Sequence, residues 1–186
     1  MALKNKSMYA ILGILNISPS TGYDIKKYCD NVLSCFWNEN FGHIYPTLKK
    51  MLEDGMIIII SKEINEKKIC YGITEKGKQE LKNWLLEETM QQPVRSEFML
   101  KLLFSSSQPL GKIVQILENY RENVIKKRDK YLKIQNNIEN GIPEVSKDRV
   151  YFLKAILRKG ILSAEATVQW CDETIEEIKL SRVKES

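Results

Sequence analysis

Histidine is almost absent from this chain, which has one, at position 43, and none of its four cysteines (Cys29, Cys35, Cys70 and Cys171) belongs to a C-x-x-C pair. A zinc site built from such ligands is therefore not expected, and no metal ligand is assigned. Reduced cysteine packs as a small hydrophobe, so the thiols read as buried side chains; a redox switch would need an exposed thiol of low pKa. No glycine-rich phosphate loop is present, and no nucleophile motif with its partners. An enzyme is thus disfavoured, with no catalytic residue and no cofactor expected. Long hydrophobic runs are also missing: the longest is Met56-Ile57-Ile58-Ile59-Ile60, far short of the roughly 18 residues of a membrane span. Met1 to Lys6 carry charge, but the hydrophobic core and cleavage site of a signal peptide do not follow. A cytoplasmic protein with no membrane partner is the expectation.

What is present is an ordinary globular composition, 43% hydrophobic and 28% charged, in 186 residues with a net charge of +5. That length suits one domain or two small ones. The charge is uneven: residues 1–88 hold 12 Lys/Arg against 11 Asp/Glu, and residues 89–186 hold 17 against 13. Nucleic-acid binding by the first half would have to rest on local clusters such as Lys49-Lys50 and Lys67-Lys68.

The first half reads as three short helices, a hairpin and a fourth helix. Met8 to Leu15 is apolar on nearly all sides and implies a central, buried helix. Pro19 and serines break it, and Thr21 can cap a helix from Gly22 to Cys29. Trp37 to Gly42 reads as a connection into a third helix that ends at Gly55, a residue suited to the left-handed position past the last turn. There Ile44, Leu48, Met51 and Leu52 fall at helical spacing and face a core. Tyr45, Lys49 and Lys50 are left outward, and Pro46 is tolerated if it lies in the first turn. Met56 to Ser61 and Ile69 to Ile73 are β-rich runs joined by a charged tip. Thr74 then caps a helix reaching about Glu88. Three helices, two strands and a helix is the order of a winged helix-turn-helix.

The second half is helical. From Leu110 to Ile138, nine positions step alternately by three and four residues, and only Lys127 among them is not apolar. A seam kept over about four heptads argues for a long helix packed on another. A second long helix, from about Asp148 to Ile178, carries one stripe through Val150, Leu153, Leu157, Ile161, Ala164, Val168, Cys171, Ile175 and Ile178. Phe152, Ile156, Ala166 and Trp170 make another. Two stripes need two packing partners, and a second copy of the chain is the economical candidate for one of them. The fold class expected is mainly α: a winged helix-turn-helix with a two-stranded wing in residues 1–90, then a helical dimerisation region with two long helices in 91–186.

Met8 to Leu15 with Ser18-Pro19 and Gly22-Tyr23-Asp24-Ile25, the run Phe36-Trp37 and Asn40 to Gly55, and Tyr71-Gly72-Ile73-Thr74-Glu75-Lys76-Gly77 together resemble the PadR family of bacterial transcriptional regulators. The likeness covers roughly residues 7–85; the long tail resembles the family's longer-tailed branch in length and helical pattern. The resemblance implies a ligand-responsive repressor that binds double-stranded DNA as a homodimer and responds to a small, often aromatic compound. Its third helix would enter the major groove of a near-palindromic operator. On that reading Tyr45 supplies a hydrogen bond to phosphate or base edge, Lys49 supplies charge, and His43 and Lys50 flank them. Lys67 and Lys68 are the wing's phosphate candidates, and Tyr23 helps position the duplex. Two features differ from the family. The wing tip holds two glutamates and no glycine, and lysines stand at 49 and 50 where arginines are common, so for at least one of these lysines phosphate anchoring suits better than a bidentate grip on guanine. Aromatics available for effector sensing are Trp84, Phe98, Phe104, Tyr120, Tyr151, Phe152 and Trp170. The competing class is a protein-interaction scaffold in which the winged domain binds no DNA.

Overall fold

The computed structural model describes residues 6–34, 36–62, 69–89, 95–139 and 147–184. The chain divides into two compact units, Met1–Gln91 and Gln92–Ser186. Among the described residues no helix is long and apolar enough to cross a membrane.

The first unit is a winged helix-turn-helix built around α1 (Lys6–Leu15). Ile11, Leu12 and Leu15 are almost wholly enclosed, as an all-round apolar helix must be. Thr21 caps α2 (Gly22–Tyr28) with a full capping box: the Thr21 hydroxyl accepts from the Asp24 amide, and the Asp24 carboxylate accepts from the Thr21 amide. The helix does not stop at Cys29 but continues as a π turn over Cys29–Leu33. The third helix, α3 (Phe41–Glu53), buries Ile44, Leu48 and Met51, with Leu52 partly buried against the same core. Its start lies earlier than expected. The Asn40 side chain accepts from the His43 amide at 3.0 Å, which draws Phe41 and Gly42 into the first turn. Pro46 therefore sits in the second turn, where it forgoes a bond to the Gly42 carbonyl.

Strand β1 (Ser20–Thr21), which was not expected, pairs with β3 (Ile69–Ile73), which pairs in turn with β2 (Ile57–Lys62). The two-stranded wing is thus part of a three-stranded antiparallel sheet with β3 in the middle; two residues sufficed to make the extra strand because α2 starts directly after it. The register carries a bulge at Ile60, between the pairs Ile59↔Tyr71 and Ser61↔Cys70, which sharpens the local twist. Helix α4 (Glu75–Leu86) closes the unit, with Trp84 stacked on Tyr9 at 4.4 Å and the Tyr9 hydroxyl donating to Glu80 at 2.8 Å.

The end of α3, the start of β2 and the start of α4 meet at one joint. Gly55 takes the left-handed conformation, φ 68°, which glycine adopts without steric cost. The Thr74 hydroxyl lies 2.9 Å from the Gly55 carbonyl and 3.0 Å from that of Met56, and it accepts from the Gly77 amide as the cap of α4. Lys76 donates to the Asp54 carbonyl at 2.6 Å. A β-carbon on Gly77 would stand 2.2 Å from the Met56 carbonyl oxygen, so no larger residue fits there.

The second unit contains α5 (Glu97–Leu103), α6 (Leu110–Glu139) and α7 (Lys147–Lys184). Helices α6 and α7 run antiparallel: Arg121 is hydrogen-bonded to Asp172 at 2.6 Å, and the Tyr131 ring covers Gly160. Ile113, Leu117, Tyr131 and Ile138 of the α6 seam are buried, and so are Leu153, Leu157, Ile161, Ala164, Cys171 and Ile175 of the first α7 stripe. Lys127 leaves the seam for solvent, its ammonium 5.8 Å from the Tyr131 ring centre. The second α7 stripe stays largely open, with Phe152 66% exposed and Ile156 39%.

Candidate nucleic-acid interface

Helix α3 fixes the positions of four of the seven expected contact residues. Turning about 100° per residue, it places Tyr45 and Lys49 on one flank of the outward face and His43 and Lys50 on the other. All four are exposed. Lys50 lines a cleft of about 230 Å³ with Met8, Tyr9, Thr47, Met51, Asp54 and Glu80.

Tyr45 does not simply project outward. Its ring lies against Gly22 at the start of α2, where a β-carbon would come within 2.7 Å of it, and it stacks on Phe41 at 5.9 Å. The ring is 51% exposed. Gly22 therefore acts as clearance for Tyr45, and the next residue, Tyr23, is 66% exposed, not packed in the core. The structure thus sets the Tyr45 ring against the start of α2, one residue before Tyr23. His43 and Lys50 lie on the far flank. Lys67 and Lys68 lie outside the described residues.

Two participants are not evident from the sequence. Phe41, which sequence pattern alone places in the connection before α3, supports the Tyr45 ring. Glu39 is a charged residue in a connection, yet it is only 3% exposed. Its Oε1 accepts from the Trp37 indole N–H at 2.8 Å, and its Oε2 stands 3.7 Å from His43 Nδ1. The spacing Trp37-x-Glu39 before a capped helix was the available signal.

The buried thiols of Cys29 and Cys171 are set for chemical quiet, while Cys35 lies outside the described residues. Burial, then the carboxylates of Glu39 and Asp30, push the Cys29 thiol up to about 11 against an opposing Lys26. Burial, then Asp172, also pushes Cys171 up. Cys70 is partly buried. Tyr71, next to Tyr45 in the sheet wall, is raised by burial and by Tyr45. Of the aromatics considered for sensing, Phe98 stacks on Tyr120 at 3.9 Å and meets Trp170 edge-on, while Trp84 is committed to Tyr9. Phe104, Tyr151 and Phe152 are exposed.

A three-helix core, a strand-paired wing and an open third helix with aromatic and basic flanks define a winged helix-turn-helix regulator. Residues 11–83 match the model of the PadR-like family of transcriptional regulators, and residues 94–179 match the C-terminal domain of virulence activator alpha. The negative transcriptional regulator PadR of Bacillus subtilis (strain 168) is 42% identical over 102 residues, a stretch spanning 53% of this chain and 56% of that protein. The crystal structure of Bacillus subtilis PadR in complex with operator DNA has a TM-score of 0.78 at 30% identity, covering 94% of this chain and 99% of that one. That of Bacillus subtilis PadR in complex with p-coumaric acid has a TM-score of 0.77 at 29% identity, covering 92% and 97%. The chain belongs to the PadR family of transcriptional regulators.

Proposed function

We propose that the chain is a ligand-responsive repressor, its first unit the DNA-binding domain and its second the dimerisation and sensing domain. Two copies, joined through the second unit, present their α3 helices to successive major grooves about 34–36 Å apart on a near-palindromic operator. The observation that carries the reading is the pairing of Tyr45 and Lys49 one turn apart on the exposed face of the third helix, with the Tyr45 ring against Gly22 of α2. Support for duplex DNA as partner comes from the relative solved with its operator, and support for a small aromatic effector from the one solved with p-coumaric acid. Support for the homodimer comes from the open stripe of Phe152 and Ile156 on α7. Lys67 and Lys68 complete the phosphate contacts from the wing, and a DNA partner implies a cytoplasmic protein.

Selection of bound fragments from random duplex DNA tests the reading directly. The expected product is a two-fold related motif with half-sites one helical turn apart; recovery of no enriched sequence rejects it. With the selected duplex, Lys49→Ala is expected to flatten the salt dependence of log K by roughly one ion's worth per protomer. An unchanged slope removes Lys49 from the interface.

A further inference from the structure

Among the described residues, Glu39 is the enclosed carboxylate, and it stands at the edge of the proposed interface. One oxygen is satisfied by the Trp37 indole, and the other has no hydrogen-bond partner among the described residues. A buried, unpaired carboxylate oxygen is costly and calls for a donor. The group facing it is the His43 ring, with Nδ1 3.7 Å away; the His43 amide is already taken by Asn40. The rest of the imidazole is open, the side chain being 67% exposed. Other charged or titratable groups near the carboxylate come from the α2 end and the π turn: the Cys29 thiol, and Lys26 paired with Asp30.

A neutral imidazole has one N–H, so it can serve Glu39 or a group outside, not both. An imidazolium has two. We propose that Glu39 and a phosphate oxygen of bound DNA together hold His43 in the doubly protonated form, so that a protomer whose imidazole is neutral when free takes up a proton from solvent on binding the duplex. A small turn of the ring brings Nδ1–H onto Glu39 Oε2, and Nε2–H is left to donate to the phosphate as a charge-assisted bond. Glu39 is a positioning residue here, acting on DNA only through His43. This inference rests on α3 facing DNA as proposed above.

The sign follows from proton linkage. A proton bound more tightly in the complex favours binding at low pH, and that advantage fades as pH rises past the ordinary imidazole range near 6.5. His43 is the only histidine of the chain, so a pH dependence that disappears in a His43 variant is assigned to this one ring.

The test uses the full-length protein and the duplex selected from random DNA, titrated by fluorescence anisotropy from pH 5.5 to 8.5 at fixed ionic strength. Wild-type affinity is expected to fall by up to about tenfold per pH unit per protomer above that range. His43→Gln is expected to bind with a flat profile, and so is Glu39→Gln, which keeps an acceptor for Trp37. His43→Lys, a fixed cation, is expected to restore the low-pH affinity with a flat profile. A merely structural Glu39 would leave the pH slope of a folded Glu39→Gln protein intact, which overturns the proposal. A slope surviving in His43→Gln overturns it equally, and that variant decides alone if Glu39→Gln does not fold. Salt-sensitive but pH-independent wild-type binding rejects proton uptake while leaving the DNA reading standing; absence of any selected duplex rejects both.

Discussion

Gly22 owes its place to Tyr45, not to its own backbone, since it has no positive φ. Gly22→Ala is therefore expected to displace the ring and weaken operator binding several-fold, while in a Tyr45→Ala background the same change costs binding nothing further. A double-mutant cycle by anisotropy measures the coupling, and independent, additive losses would refute the clearance role. Cys29 gives a second residue-scale expectation. Its thiol is pushed up from 9.0 to about 11 in the folded chain. Stability due to the protonated thiol is thus complete below about pH 9 and is lost as pH rises toward 11, by up to about 1.4 kcal/mol per unit. Denaturant midpoints over pH 8–11 are expected to fall more steeply for wild type than for Cys29→Ala. At this scale the sequence was a partial guide. Caps at Thr21 and Thr74 and the stop at Gly55 follow from local hydrogen bonding and sterics, which neighbouring residues reveal. The burial of Glu39 and the contact of Gly22 with Tyr45 depend on chain segments about 20 residues apart or on tertiary enclosure, which local pattern does not encode.

Among the elements, α3 depends most on its first turn. Asn40 supplies the side-chain acceptor that draws Phe41 and Gly42 into the helix. Asn40→Ala is expected to cost about 1 kcal/mol of stability, read as a lower thermal midpoint, and to loosen the turn that bears His43; Asn40→Asp is expected to lose little. A stability unchanged in Asn40→Ala would mean that the cap contributes nothing. The helices, the hairpin and their order were legible because apolar residues recur at periods of 3.6 and 2. The added strand at Ser20–Thr21 was not, since two residues have no period; nor was the π turn after Tyr28, which keeps helical spacing in sequence while changing its bonds.

For the whole molecule, the long helices leave the Phe152 and Ile156 stripe uncovered. Phe152→Asp is expected to give a monomer at micromolar concentration by light scattering and to weaken operator binding far more than a change at one contact, because two linked half-sites bind with the advantage of effective concentration. A wild-type monomer would refute the dimer. The proposal of two copies draws on the near balance of charge in residues 1–88, which was readable at once, whereas which stripe would remain uncovered required the packed pair of α6 and α7. The joint at Thr74 has a further consequence, for opening rather than for binding. One hydroxyl and one ammonium fasten the exit of α3 and the entry of β2 to the head of α4, with no room at Gly77 for the pieces to slide. The end of α3, the start of β2 and the head of α4 are therefore expected to open as one, with the amides of Met56, Thr74 and Gly77 sharing a single exchange rate set by unfolding of the unit.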